Sequence, residues 1–106
     1  MKEAMAELKA QQDEAVREWN ARRQKAGITR WTDKDALRQL RTAVARAMLT
    51  DDWIDVARAV REAAADPFAS PWKVPQLAAD LGSRRREQEH VEQKLRERAE
   101  GYRLGT

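Results

Sequence analysis

The chain contains no cysteine in 106 residues. That excludes a disulfide framework and any thiolate metal site, and it is compatible with the cytoplasm. A single histidine, His90, excludes a multi-histidine metal site within one chain. There is no glycine-rich phosphate loop, no serine–histidine–aspartate set that spacing supports, and no carboxylate pair in an evident pocket. No apolar run approaches the roughly 18 residues of a membrane span, and the opening Met-Lys-Glu-Ala-Met lacks the apolar stretch of a signal peptide. These absences set the expectation of a cytoplasmic, non-enzymatic protein with no cofactor, no metal, no small-molecule substrate and no membrane contact. Glycine and proline are also scarce, at four and three residues, so long segments run without a helix breaker.

What is present is alanine and charge. Hydrophobic residues make up 42% of the chain, many of them alanine, and charged residues 37%, with a mean hydropathy of -0.89. One domain with a thin core follows. Four of the six aromatic residues are tryptophan, so burial rests on a few large anchors. The net charge is +3. Residues 1–30 and 83–106 each hold seven cations against five acids, while residues 31–66 hold six against seven. Basic ends on a slightly acidic centre permit binding to a polyanion.

The stretch 31–66 reads as the structural centre, an αα-hairpin. Thr32 is a candidate N-cap, Asp35 the acidic member of a capping box, and Trp31 with Ala36 a hydrophobic staple. Ala36, Leu37, Leu40, Ala43, Val44, Ala47 and Met48 then recur at helical spacing. Thr50, Asp51 and Asp52 interrupt this pattern and offer caps for a second helix. That helix carries Trp53, Ile54, Val56, Ala57, Val60, Ala63 and Ala64, and Asp66-Pro67 ends it. Two helices do not enclose a core, so a third surface must come from this chain or from another. Asp51 and Asp55 share a face; a cation site is one reading of them, and capping with dipole complementarity is the simpler one.

Residues 2–26 read as one long helix, with Gly27 as its C′ residue. A heptad frame places Met1, Leu8, Ala15 and Arg22 on one position and Met5, Gln12, Trp19 and Ala26 on the other. Such a stripe either packs on the hairpin or pairs with its own copy as a coiled coil. The connector 67–75 holds all three prolines together with Phe68 and Trp72, which either cap the open end of the core or contact a partner. A short helix over Pro75–Leu81 is expected to stop at Gly82, and a last helix to run from Ser83 to Glu100 with a narrow stripe of Val91, Leu95, Ala99 and Tyr102. The expected fold is all-α: a small bundle of five helices built on the central hairpin, with long N-terminal and C-terminal helices.

Residues 74–102 contain Leu77-Ala78, Leu81-Gly82 and then Ser83-Arg84-Arg85-Arg86. This run resembles the two-helix reading unit of helix-turn-helix DNA-binding proteins, and the closing Glu100-Gly101-Tyr102 resembles the end of a winged variant. The resemblance implies that Ser83 and Arg84–Arg86 begin a recognition helix facing base edges and phosphates. Independently, three cations at a helix N-terminus oppose the dipole, and a bound phosphate relieves that conflict. The alternative is a solvated run balanced by Glu87 and Glu89.

The leading expectation is therefore a small DNA-associated protein, such as a regulator or a phage-type DNA-recognition subunit, which contacts phosphate through Arg84, Arg85, Arg86, Lys94 and Arg98. The rival is an assembly or adaptor subunit with no nucleic-acid contact. In either case Met5, Leu8, Trp19, Phe68 and Trp72 are the candidate partner contacts, with a homo-oligomer or a helical protein as the partner.

Overall fold

The computed structural model describes residues 2–104, with backbone alone at Lys2 and at residues 102–104. Four helices follow in order: α1 (Lys2–Lys25), α2 (Lys34–Met48), α3 (Trp53–Ala64) and α4 (Lys73–Leu104). No strand occurs among the described residues, and the fold is a small all-α bundle. Met1 of the heptad frame and the Tyr102 side chain lie outside the described residues.

Helix α1 ends as its sequence predicts. Gly27 takes φ +76°. The Ile28 amide donates to the Arg23 carbonyl at 2.7 Å and the Gly27 amide to Gln24 at 3.0 Å. These are the two bonds of a Schellman motif, which needs a left-handed residue at C′. Of the two fates open to the α1 stripe, packing within the chain is the one observed. Ala15 and Trp19 are fully buried. Asp13 pairs with Arg41 of α2 at 2.6 Å and Glu18 with Arg61 of α3 at 3.2 Å. Trp19 is thus a core anchor and not a partner contact: α2 and α3 supply the apolar surface that its ring needs.

The start of α2 lies one residue later than expected. Asp33, in extended conformation, accepts the Ala36 amide at 3.0 Å and is the N-cap in place of Thr32. Trp31 is held outside the helix instead of stapling to Ala36. Its amide donates to Asn20 Oδ1 at 2.7 Å, and its carbonyl accepts from Asn20 Nδ2 at 3.0 Å. Its ring lies 4.8 Å from that of Trp19 and 5.4 Å from the Arg23 guanidinium. Arg23 is 7% exposed with no carboxylate partner among the described residues; its Nε donates to the Thr29 carbonyl at 2.7 Å. Arg23 Nη1 and Trp19 Nε1 lack hydrogen-bond acceptors among the described residues. The π-face of Trp31 is the electron-rich surface beside both side chains.

Helices α2 and α3 form the expected pair, but they touch each other less than either touches α1 or α4. The missing third surface therefore comes from this chain. Leu40, Val44, Val56, Val60 and Val74 are fully buried among alanines, which let the backbones approach. Each fully buried leucine or valine contributes roughly 1.5–3 kcal/mol of transfer free energy.

Two expectations for the C-terminal third are corrected. Phe68 is 93% exposed and Trp72 42%, so neither caps the core. Ala69, Pro71 and Val74 face inward instead. Side-chain turns set that alternation: Asp66 Oδ1 accepts the Phe68 amide at 2.9 Å and Ser70 Oγ the Trp72 amide at 3.3 Å. Further on, Gly82 does not stop a helix. Helix α4 is continuous from Lys73 to Leu104, so residues 74–102 are not two helices joined by a turn, and the bundle has four helices where five were expected. Pro75 sits in the first turn, where its missing amide hydrogen costs no helix bond.

Candidate functional site

The first turn of α3 carries Asp55, its N-cap is Asp52, and Asp51 precedes that cap. Packing of α3 against α4 buries Asp55 completely. An unpaired carboxylate there would be costly. Arg85 of α4 resolves this. Its Nε donates to Asp55 Oδ1 at 3.2 Å and its Nη2 to Asp55 Oδ2 at 3.1 Å, a two-pronged grip. The same Nη2 reaches Asp52 Oδ2 at 2.9 Å, and Nη1 reaches Glu89 Oε1 at 3.2 Å. Hydrogen bonding to Asp55, reinforced by the charges of Asp55 and Glu89, holds the Arg85 guanidinium above its ordinary pKa. The cation beside Asp52 and Asp55 is this side chain, while Asp51 accepts from the Thr50 hydroxyl.

Gly82 makes the approach possible. A Cβ built there would lie 3.1 Å from Asp55 Oδ2, 3.2 Å from Arg86 Nη1 and 3.3 Å from Asp51 Oδ1. Arg86 thus folds back over the glycine. Two of the three clustered arginines are turned to the body, and of the three only Arg85 makes an ion pair among the described residues.

Beyond this clamp α4 leaves the body. Every described residue from Arg86 to Gly101 is exposed. At 1.5 Å per residue this arm is roughly 24 Å long. Val91 and Leu95, one turn apart, are 49% and 58% exposed, and Lys94 and Arg98 flank them along one shallow depression. His90 is exposed on the same arm.

The other predicted partner residues divide between two places. Leu8 is half-buried and lines a groove with Met48 and Leu49 of the α2 end, while Met5 nearby is 71% exposed. Phe68 and Trp72 sit on the connector, with the Arg46 guanidinium 5.7 Å from the Trp72 ring centre. Sequence reasoning missed Leu49 and Arg46. Leu49 falls just after the periodic run and so belongs to no face in the sequence, although it is 83% exposed at the helix end. Among the described residues no group of three or more histidines and carboxylates is arranged to hold a metal ion, and no helix is long and apolar enough to cross a membrane.

No protein-family model, no curated protein and no solved structure matches this chain.

Proposed function

We propose that this chain is a non-enzymatic assembly subunit that docks on protein through the projecting half of α4. The carrying observation is the arm itself: a helix exposed on all sides, with Val91 and Leu95 unpartnered on one face. A helix of this length is marginal in isolation, because tertiary packing supplies most helical stability. A stretch that the body does not cover fits a role in which a partner covers it. The exposed Phe68 and the Trp72–Arg46 pair add a second contact surface on the connector.

Charge weighs against phosphate as the main target. Arg85 is engaged by three carboxylates. Residues 87–101 carry three cations, Lys94, Arg96 and Arg98, against five acids, Glu87, Glu89, Glu92, Glu97 and Glu100, an excess of two negative charges. The nucleic-acid reading retains Arg84, Lys94 and Arg98, which helical spacing places on one face, with Glu87 beside them.

Binding of the full chain to a labelled random duplex across a salt series separates the two readings. The assembly reading predicts no measurable binding at physiological salt. Micromolar or tighter binding that falls steeply with salt is the signature of several phosphate contacts through counterion release, and would overturn it.

A further inference from the structure

We infer that the α4 arm of one copy seats in the α1–α2 groove of a second copy. This inference rests on the assembly reading and names the occupant of that docking surface.

The groove lies where α1 meets the end of α2. Leu8, Ala45, Met48 and Leu49 give it an apolar floor, and its volume is about 310 Å³. The arm presents two exposed apolar side chains one turn apart, Val91 and Leu95, with nothing packed on them among the described residues. Charge completes the match. Glu3 and Glu7 stand one turn apart on the exposed side of α1, with Glu7 on the groove wall. Lys94 and Arg98 stand one turn apart beside Val91 and Leu95, with the single acid Glu97 on the same lining.

Both pairs have i,i+4 spacing, so both advance about 6 Å along their helices and form two ion pairs in a single register. These four make no ion pair among the described residues, so all are available to a partner. The arm does not satisfy its own groove, since the described residues of α1 and α4 do not touch. An arm-into-groove contact is heterologous, so it closes into a ring, with reciprocal exchange between two copies as the smallest, or continues as a chain of subunits.

The test is sedimentation of the full chain over a concentration series at low and high salt. The wild type is expected to self-associate, more weakly as salt rises. K94E/R98E and E3K/E7K alter only exposed side chains and leave helicity intact; each is expected to weaken association at least tenfold. An equimolar mixture of the two variants restores it, because each reversed arm then meets a reversed groove. A pairing of arm with arm would leave E3K/E7K at wild-type strength, and that result overturns the inference. So does a wild type that stays monomeric at every concentration, or a mixture that fails to recover. A monomeric chain that also ignores duplex DNA removes only the second copy as occupant, whereas steep salt-dependent duplex binding removes the assembly reading with it.

Discussion

The Nη2 of Arg85 lies 3.1 Å from Oδ2 of Asp55, a carboxylate with no solvent exposure at all. One partner is inside the protein and the other reaches in from the surface, so the two substitutions are unequal. Removing Arg85 leaves a buried charge uncompensated, and breaking such a pair from one side is strongly destabilising. Arg85→Ala is expected to lower the melting temperature far more than Arg84→Ala or Glu89→Gln. The double change of Asp55→Leu with Arg85→Met is expected to recover much of that loss, because two apolar groups need no partner. Thermal denaturation of the four variants checks the order.

Gly82 and Gly27 are both glycines for different reasons, and alanine distinguishes them. At Gly27 the φ of +76° disfavours any Cβ, and Gly27→Ala should cost roughly 1–2 kcal/mol. At Gly82 alanine has a helix-propensity advantage of about 1 kcal/mol, but its methyl group meets Asp55 Oδ2 at 3.1 Å. Arg86 can swing away; Asp55, gripped by Arg85, cannot. Gly82→Ala is therefore expected to lower the denaturation midpoint. A gain of about 1 kcal/mol would show that the clamp is slack.

Trp19 carries the largest single share of the core. Trp19→Ala should cost about 3–5 kcal/mol, against a total stability of about 5–15 kcal/mol for a domain of ordinary size. That variant is expected to be partly unfolded at 37 °C by circular dichroism. Trp19→Phe, which fills most of the volume and removes the unpaired indole N–H, should stay folded. Phe68→Ala, at a 93%-exposed position, should change stability by less than about 0.5 kcal/mol.

The arm should be the first place that a protease enters. Brief trypsin treatment of the dilute protein is expected to cut after Lys94, Arg96 or Arg98 and to leave a resistant body that retains α1–α3 and the clamped part of α4. Few buried contacts mean a low local opening free energy. Leu95→Asp, on the same arm, should leave the melting temperature unchanged. First cuts within α2 or α3 would contradict this distribution of stability.

The helical class, the α1 stop and the apolar faces of α2 and α3 were legible in the sequence because each has a local cause. Gly27 follows a run of cations at a helix end, and the Leu40, Val44 and Ala47 spacing admits one face only. Gly82 was misread because a helix-ending glycine and a close-approach glycine look alike in a string. The difference lies in Asp51 and Asp55, some thirty residues away in sequence and adjacent in space. Arg84, Arg85 and Arg86 look alike in the string for the same reason: a run of three equal charges hides the fact that helical rotation sends Arg85 to α3, folds Arg86 over Gly82 and leaves Arg84 in water. The role of Phe68 was decided by the two side-chain turns at Asp66 and Ser70, a local signal present in the sequence but too weak to set which residues face inward.

The unbroken passage of α4 through Gly82 has a mechanical consequence. A helix anchored along its first half and free along its second is a lever, with the Arg85–Asp55 grip as its fulcrum. Load applied near Val91 or Leu95 arrives at Val74, Ala78 and Leu81 without a flexible joint to absorb it. Whatever engages the tip pulls on the core directly, and the first structural element to feel that torque is the opening turn of α3.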